Sequence, residues 1–247
     1  MSQTVQRAIA ILELIAERPR TVAEIGEELG VHRTTGLRLL QTLHDGGLVR
    51  IQQDGRYGVG FRLTGLAQLA LEQFDLVAIA RPHLVRLEQS LTHTVHLAVL
   101  ETTSIVYADK IEPATRVRMH SQIGRPVCLH TAGVSKAILA YLPPDRVEEL
   151  LRDHQFTRYT DTTLTSAAAF QSELQGVRQR GWATDDAEFE SYVNCIAAPV
   201  RNAAGDVIAA VSVTALRALA DLRALQEALP LLLSTTSKIS DELGWKA

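Results

Sequence analysis

Residues 21–62 constrain the fold more than any other part of the chain, because they combine a helix, a tight turn, a second helix and a hairpin in that order. Thr21 followed three residues later by Glu24 is a capping box, which predicts the start of the first helix. Gly30 supplies the positive φ that ends this helix. Apolar spacing then predicts a second helix from about His32 to Asp45. The pattern is typical of a helix-turn-helix.

The second predicted helix has two different faces. At the helical period, one face collects apolar and small residues, and the opposite face collects Thr34, Arg38 and Gln41. Threonine, arginine and glutamine side chains suit the reading of base edges and the binding of phosphates in a DNA groove. A solvated surface helix of some other domain carries a similar face, so this helix alone leaves both interpretations open.

A hairpin strengthens the first interpretation. Residues 48–51 and 57–61 predict two strands joined at Asp54-Gly55. Between residues 31 and 62 there are five arginines and two aspartates, a local net charge of +3, whereas residues 1–30 hold three arginines and five glutamates. Positive charge therefore lies where phosphates would be bound. Together these features predict a winged helix-turn-helix that binds double-stranded operator DNA, with contacts from Arg33, Thr34, Thr35, Arg38, Gln41 and Arg56.

Composition limits the remaining classes. The length of 247 residues favours two domains, the hydrophobic content of 46% excludes a disordered chain, and the net charge of −3 excludes a globally basic nucleic-acid coat. No apolar run reaches the roughly 18 residues of a membrane span, and residues 2–20 lack the basic leader and clean apolar block of a signal peptide. Cys128 and Cys195 form no framework pattern. We therefore expect a cytoplasmic protein without a membrane partner.

After residue 62, the pattern changes to a connecting helix and then to alternating strands and helices. The connecting helix is predicted at 63–79, with an end at Arg81-Pro82 because proline breaks the helical hydrogen-bond ladder. Strands are predicted at 94–100, 104–111, 116–120, 195–201 and 207–214, and helices at 83–91, 131–141, 143–153, 166–181 and 217–243. These elements predict an α+β domain with an antiparallel sheet. The predicted division is a DNA-binding domain at 1–62, a linker helix at 63–81 and an effector-binding and oligomerisation domain at 82–247.

Five stretches carry a more specific signal: VQRAIAILELIAE, LGVHRTTGLRLLQTL, DGRYGVG, LHTAGVSKAILAYL and GWATDDAEFESYVNCIAAPVRNAAGDVIAAVSVTA. With them, nearly the whole chain resembles transcriptional regulators of the isocitrate-lyase-regulator family, usually written IclR. The resemblance implies a winged-helix domain, a linker helix and a GAF-like effector domain. It also implies a ligand-responsive repressor or activator that forms homodimers through its N-terminal half, often paired into tetramers through the C-terminal halves.

The resemblance further implies a pocket for a small organic acid or related metabolite, such as a carboxylate or an aromatic acid derivative. Its effector-binding residues correspond to Gly133, Val134, Asp185, Cys195, Ser212 and Thr214. Backbone amides at a helix start suit an anion, and Ser212 and Thr214 share one face of a strand. Alternatively, the two hydroxyls only satisfy neighbouring backbone groups, and Cys195 is a small buried apolar residue.

Two further questions concern the same pocket. Asp185 would repel a bound anion unless it were protonated or accepted a proton from a ligand hydroxyl or amine; from the sequence we favour the second. Met119 is predicted to contact the effector. Its neighbours Arg116 and Arg118 either line the pocket entrance with it or belong to an ordinary strand with its charged residues outward.

No cofactor and no catalytic site are expected. His93, His96 and His120 lack the spacing of metal ligands, and His130 is expected to be a structural residue held by hydrogen bonds. Cys195 with a nearby histidine could act as a nucleophile, but no nucleophile-elbow, phosphate-binding or dinucleotide pattern is found. The third alternative is a small-molecule sensor whose N-terminal helices bind a protein rather than DNA.

Overall fold

The computed structural model describes residues 2–73, 75–113 and 121–246, without the side chains of residues 67, 68 and 70–73. The chain divides into two compact units, Met1–Phe74 and Asp75–Ala247. The first consists of helices and a two-stranded hairpin, and the second is built on a five-stranded antiparallel sheet. The predicted α+β class is therefore confirmed. The predicted domain bounds, with a separate linker at 63–81, remain a prediction.

The N-terminal unit packs three helices and a hairpin around one core. Its elements are α1 (Gln3–Glu17), α2 (Val22–Glu28), α3 (Arg33–Asp45), β1 (Val49–Ile51), β2 (Tyr57–Val59) and α4 (Phe61–Gln73). The core centres on Ile11 and Ile15 of α1, Ile25 of α2 and Leu40 of α3, which are all almost completely buried. Burial of these aliphatic side chains stabilises the unit by the hydrophobic effect.

The segment from α2 to α3 follows the sequence prediction closely. Thr21 Oγ1 accepts a hydrogen bond from the Glu24 backbone N–H at 3.3 Å, and Glu24 Oε2 accepts one from the Thr21 N–H at 2.7 Å, so the capping box is formed. Gly30 has a φ of 60°, which residues with a Cβ atom rarely adopt. α3 begins directly after His32 and buries the predicted face. The winged helix-turn-helix is therefore confirmed, with β1 and β2 as its wing.

The C-terminal unit is a sheet covered by helices on both faces. Its elements are α5 (Leu76–Leu91), β3 (Thr94–Leu100), β4 (Ile105–Ile111), α6 (Gly133–Leu139), α7 (Pro144–Leu151), α8 (Ala167–Arg180), β5 (Ala183–Asp186), β6 (Val193–Arg201), β7 (Val207–Leu216), α9 (Leu222–Gln226) and α10 (Leu229–Glu242). The strand order is β4-β3-β7-β6-β5. Because side chains alternate along a strand, one face packs against α5, α9 and α10, and the other packs against α6 and α8.

The predicted helix break at Pro82 is wrong. α5 runs through Pro82 without ending. The helix begins instead after Asp75, whose Oδ1 accepts a hydrogen bond from the Val77 N–H at 3.0 Å. Pro82 removes one backbone hydrogen bond from the helix. Leu84 and Leu87, which follow it, are almost completely buried in the core, and their burial offsets that loss.

Three other strand and helix predictions differ from the structure or lie outside it. The single closing helix predicted at 217–243 is two helices, because Asp221 caps α9 and Pro230, at the start of α10, lacks the N–H that would continue α9. The edge strand β5 was not predicted, since its four residues include two aspartates. The strand predicted at 116–120 lies outside the described residues.

Candidate functional site

The first candidate site is the exposed face of α3. Arg33, Thr34 and Arg38 are exposed there, and Thr35 is half-buried. Within the described part of the chain, neither arginine side chain forms an ion pair or a hydrogen bond. Both guanidinium groups therefore remain available to a phosphate or to the edge of a guanine base.

Two polar side chains of this face have partners within the helix. His32 Nδ1 lies 2.9 Å from Thr34 Oγ1 and 3.4 Å from the Thr34 backbone N–H, so the histidine ring caps the start of α3. Gln41 Nε2 donates to Asp45 Oδ1 at 2.8 Å. The capping role of His32 was not predicted from the sequence, because histidine is not among the preferred capping residues.

Two arginines lie in the wing, Arg62 follows it at the start of α4, and each of the three has a partner. The Arg56 guanidinium lies 3.1 Å from Glu24 Oε2, Arg50 lies over the ring of Phe61 at 5.6 Å, and Arg62 donates to a backbone carbonyl at 2.8 Å. Arg56 therefore ties the wing to the start of α2. A contact between Arg56 and DNA requires this exposed ion pair to be exchanged for a phosphate, and it remains a prediction.

The second candidate site is a cavity of about 380 Å³ in the C-terminal unit. This volume suits a small metabolite. Six residues predicted from the resemblance line it: Gly133, Val134, Asp185, Cys195, Ser212 and Thr214. The seventh, Met119, lies with Arg116 and Arg118 outside the described residues.

Strand register explains how distant residues meet in this cavity. Asp185 of β5 is paired with Cys195 of β6, and Cys195 is paired with Thr214 of β7. Residues paired across neighbouring strands point to the same face of a sheet, and so does Ser212, two residues before Thr214. The four side chains therefore form one polar group on the face that α6 covers.

His96 is a cavity residue that the sequence analysis considered only as a metal ligand. It is 3% exposed, and its Nε2 lies 2.7 Å from Ser121 Oγ. Its Nδ1 lies 3.4 Å from the hydroxyl oxygens of both Ser212 and Thr214. A polar residue at an inward position of a buried strand was the signal that could have identified it. The same signal applies to Tyr107 of β4, which also lines the cavity.

Gly133 brings α6 close to the sheet. A Cβ atom added at this residue would lie 3.1 Å from Cys195 Sγ and 3.3 Å from Ala197 Cβ, which is tighter than ordinary van der Waals contact. The first backbone N–H groups of a helix have no carbonyl partner within it. Gly133 and Val134 are the first two residues of α6, and both line the cavity.

One hydroxyl of the cavity wall is unsatisfied. Thr131 is completely buried, and its Oγ1 has no hydrogen-bond partner among the residues that the structure describes. A buried polar group without a partner costs roughly 1–3 kcal/mol. A ligand atom that accepts a hydrogen bond here would remove that cost. Sequence reasoning missed Thr131, because a hydroxyl residue before a helix is usually read as a cap.

Burial favours the neutral forms of the inner groups of the cavity. It raises the pKa of Asp185 to about 7 and the pKa of the Cys195 thiol to about 12. It lowers the pKa of His96 to about 3 and raises the pKa of Tyr107 above its usual value. The high pKa of Cys195 disfavours the thiolate that a nucleophile needs. A ligand that reaches this inner part of the cavity therefore meets mainly groups that form hydrogen bonds without a fixed charge.

The loop after β5 is held firmly behind the cavity. Lys136 and Glu188 form a buried ion pair, and Lys136 Nζ also donates to a backbone carbonyl at 2.8 Å. Ala187 adopts a φ of 57°, which is unfavourable for a residue with a Cβ atom. The hydroxyls of Thr160 and Thr163 donate to the carbonyls of Ala187 and Glu188 at 2.7 and 2.6 Å. These contacts fix the position of Asp185.

His130 has the structural role that the sequence predicted. Its Nε2 donates to the Thr157 carbonyl at 3.0 Å, so its Nδ1 is the acceptor for the His154 ring N–H at 2.7 Å. Burial lowers the pKa of both histidines. The described residues contain no group of three or more histidines, cysteines and acids that could hold a metal ion.

The chain combines a winged helix-turn-helix, whose α3 exposes two arginines, with a second unit that holds a polar cavity of metabolite size. This combination is typical of ligand-responsive DNA-binding regulators. Two family models match the chain: "IclR helix-turn-helix domain" at residues 4–53 and "Bacterial transcriptional regulator IclR C-terminal" at residues 68–241. The chain belongs to the IclR family. It is a ligand-responsive, DNA-binding transcriptional regulator and not an enzyme.

Individual relatives agree with this assignment. The chain is 31% identical to the HTH-type transcriptional regulator KdgR of Escherichia coli (strain K12) over 244 residues, which are 98% of this chain and 93% of KdgR. It is 32% identical to the regulator XynR of the same organism over 222 residues, 89% of this chain and 88% of XynR. The crystal structure of Thermotoga maritima IclR is similar, with a TM-score of 0.65 and 28% identity over 98% of this chain and 99% of that chain. Across the described ranges, no helix has the length and apolar character needed to cross a membrane.

Proposed function

We propose that two copies of this chain place their α3 helices in successive major grooves of a near-palindromic operator. Support comes from the exposed guanidinium groups of Arg33 and Arg38, which have no partner among the residues that the structure describes. In this account Arg33, Thr34, Thr35, Arg38 and Gln41 contact bases and phosphates, and Arg56 contacts the backbone from the wing. Residues 1–62 read the DNA, residues 63–81 link, and residues 82–247 bind the effector and assemble the oligomer.

The proposed homodimer forms through the N-terminal unit. Eight large apolar side chains are exposed in the described part of this unit, and five of them belong to α1 or α4: Val5, Ile9, Phe61, Leu66 and Leu69. Phe61 is 81% exposed. Apolar side chains exposed in this number usually mark an interface, and a second copy of the same unit would cover them. Pairs of dimers would form tetramers through the C-terminal units.

We further propose that the cavity binds a small organic acid. The unsatisfied Thr131 hydroxyl carries this proposal, because Thr131 lines the cavity and its hydroxyl lacks an acceptor among the described residues. The hydroxyls of Ser212 and Thr214 and the amides of Gly133 and Val134 are the further groups expected to hold a carboxylate. The bound acid would favour one of two arrangements of the dimer and so change its affinity for the operator in the cytoplasm.

The DNA-binding half is tested by Arg38→Ala. Loss of a guanidinium that contacts a base or phosphate costs about 1–3 kcal/mol for each contact, so operator affinity should fall at least about fivefold in a gel-shift assay with duplexes selected from a random pool. Arg152→Ala, at an exposed position of the C-terminal unit, is the matched control and should bind normally. Unchanged affinity for Arg38→Ala would show that α3 does not read DNA.

The effector half is tested by thermal shift. A ligand that binds only the folded protein raises the melting temperature with its concentration. A panel of aliphatic, hydroxylated and aromatic carboxylates should contain at least one that stabilises wild type and changes its operator affinity. Amines and uncharged compounds are tested beside the carboxylates. If only these stabilise wild type and change its operator affinity, the effector is not an organic acid.

A further inference from the structure

We infer that Asp185 recognises the anionic effector as a neutral carboxylic acid that donates a hydrogen bond, so that effector binding is coupled to uptake of one proton. The inference rests on the proposed function, because it takes the ligand of the cavity to be a small organic acid. It specifies the protonation state in which Asp185 contacts the ligand, and it predicts how the affinity for the effector depends on pH. It also replaces the role favoured from the sequence, in which Asp185 only accepts a proton from the ligand.

The geometry leaves one oxygen of Asp185 for the ligand. The residue is 9% exposed and lines the cavity. Its Oδ1 accepts the Glu188 backbone N–H at 2.7 Å, whereas Oδ2 receives no hydrogen bond from any residue in the described ranges. A carboxyl group held by one oxygen presents the other in a defined direction.

A ligand carboxylate beside Asp185 would bring two like charges together. Lys136 lies behind the cavity wall, and its charge is already matched by the buried carboxylate of Glu188. Arg125 also lines the cavity, but at a position exposed to solvent, where its charge is screened. Two carboxylates that share a desolvated site cannot both ionise, so one of them takes a proton. The ordinary organic acid is the stronger acid of the two, and Asp185 is therefore the group that holds the proton.

A second observation indicates that the ligand of this cavity accepts hydrogen bonds. Thr131 Oγ1 is completely buried, lines the cavity and lacks a partner within the described chain. The Ser212 and Thr214 hydroxyls lie on the same face of the sheet as Asp185, with Cys195 of β6 between Asp185 and Thr214. A carboxylate accepts several hydrogen bonds and donates none, so these hydroxyls and a protonated Asp185 form one consistent set of donors.

The surroundings of Asp185 favour its neutral form. Burial raises its pKa to about 7, against the opposing effects of the Glu188 N–H and of Lys136 from α6, while Glu188 and Asp186 add to the rise. The groups on the other elements around the cavity are Cys195 of β6, His96 of β3 and Tyr107 of β4, with pKa values far from neutrality. Arg125 and Glu190 also line it. The pKa of Asp185 lies closer to neutrality than those of Cys195, His96 and Tyr107.

The consequence is a pH-dependent affinity. Below pH 7 Asp185 is mostly protonated before the ligand arrives, and above pH 7 it must first take up a proton. For a pKa of about 7 in the free protein, the Kd of a carboxylate that stays ionised should rise about 25-fold between pH 6.5 and pH 8.5. A role as acceptor for a ligand hydroxyl would give the opposite slope.

The experiment is isothermal titration calorimetry on the full chain with the tightest carboxylate of a panel that includes pyruvate, gluconate and 4-hydroxybenzoate. Wild type should lose about 25-fold in affinity from pH 6.5 to pH 8.5. Asp185→Asn should bind at both pH values with nearly the wild-type affinity of pH 6.5, because the amide keeps a donor that does not titrate. Asp186→Asn, the adjacent half-exposed aspartate, is the matched control and should keep the wild-type pH dependence.

Proton uptake is measured separately on wild type, by titration at pH 7.5 in phosphate and in Tris buffers, whose ionisation enthalpies differ. This arm needs no variant and so decides the question even if Asp185→Asn folds poorly. Equal heats in both buffers, a pH-independent wild-type Kd, or an Asp185→Asn protein as pH-dependent as wild type would each overturn the inference while leaving the proposed function intact. Failure of every carboxylate to bind wild type would instead overturn the proposed function.

Discussion

Two carboxyl groups, Glu24 in the N-terminal unit and Asp185 in the C-terminal unit, show how differently the two regions treat charge. Glu24 lies at the surface, and its pKa is lowered to about 2, first by the hydrogen bond from the Thr21 N–H and then by that from Arg18. Burial raises the pKa of Asp185 to about 7. The DNA-binding unit keeps its charges in water, where they can meet phosphates, whereas the ligand-binding unit suppresses charge and offers neutral donors.

The sign of the resulting pH dependence is opposite in the two units. A carboxyl whose pKa is lowered by folding contributes stability above its ordinary pKa near 4.5, and this contribution is lost as the pH falls towards 2. A carboxyl whose pKa is raised contributes stability below its ordinary value near 3.8, and this contribution is lost as the pH rises towards 7. As the pH falls, the contribution of Glu24 to the stability of its unit is therefore expected to decrease, and that of Asp185 to increase.

The largest expected effect comes from Lys136→Met. This change leaves the buried Glu188 without its cation, and breaking a buried ion pair on one side typically costs about 3–5 kcal/mol. Denaturant unfolding should show this loss. Adding Glu188→Gln to the same protein should recover much of it, because no unpaired charge is then buried. A loss of unfolding free energy below about 1 kcal/mol would mean that burying the unpaired Glu188 carboxylate costs little, which would contradict the account of this unit.

The next effect concerns the stability of Asp185→Asn without any ligand. The asparagine does not ionise. Between pH 4 and pH 8 the free energy of unfolding of the variant should therefore rise, relative to that of wild type, by up to about 4 kcal/mol. Unfolding free energies at the two pH values measure the gain, and Asp186→Asn is the control for a charge change next to the cavity. If the difference between Asp185→Asn and wild type is the same at both pH values, the two regions do not differ in the way proposed.

A smaller effect is expected for Gly133→Ala. The added methyl group meets Cys195 Sγ at 3.1 Å, and such overpacking typically costs about 1–3 kcal/mol. Effector affinity should fall by a factor of about ten or more, while operator affinity without effector should stay at the wild-type level. Cys195→Ala in the same protein should relieve part of the clash. A parallel loss of DNA binding would contradict the separation of the two sites.

The smallest effect is expected for Thr21→Ala in the capping box of α2. Loss of a threonine cap costs about 1 kcal/mol, and it also removes hydroxyl contacts of Glu24. Hydrogen exchange of the α2 amides should quicken, most clearly near neutral pH, where the Glu24 carboxylate is ionised. Exchange in β6 and β7 serves as the internal control. Equal changes in both units would argue against their independence.

The two units also differ in how well they could be predicted from the sequence. In the N-terminal unit the decisive contacts are local: Thr21 bonds to Glu24, Gly30 turns the chain, and α3 buries one face. Residue patterns record such contacts directly, so helix starts and the wing were predicted correctly. Continuity through Pro82 was not, because the buried residues that support it pack against distant strands.

The cavity depends on contacts between residues far apart in the chain. Asp185 meets Cys195 and Thr214 only through strand register, and the edge strand that carries Asp185 was not predicted. The family resemblance identified most of these positions. It did not identify His96 or the unsatisfied hydroxyl of Thr131, since both depend on the side-chain environment in the folded unit.

The most direct test of this account measures operator affinity by fluorescence anisotropy while the carboxylate selected by thermal shift is added. Wild type should change its operator affinity by a factor of about 5–150. Arg38→Ala should bind the carboxylate normally but bind DNA at least about fivefold more weakly. Gly133→Ala should bind DNA normally but require more carboxylate for the same change. If wild-type DNA affinity is unaffected by a carboxylate that saturates the cavity, the cavity does not control the arginine-bearing helix and the account is wrong.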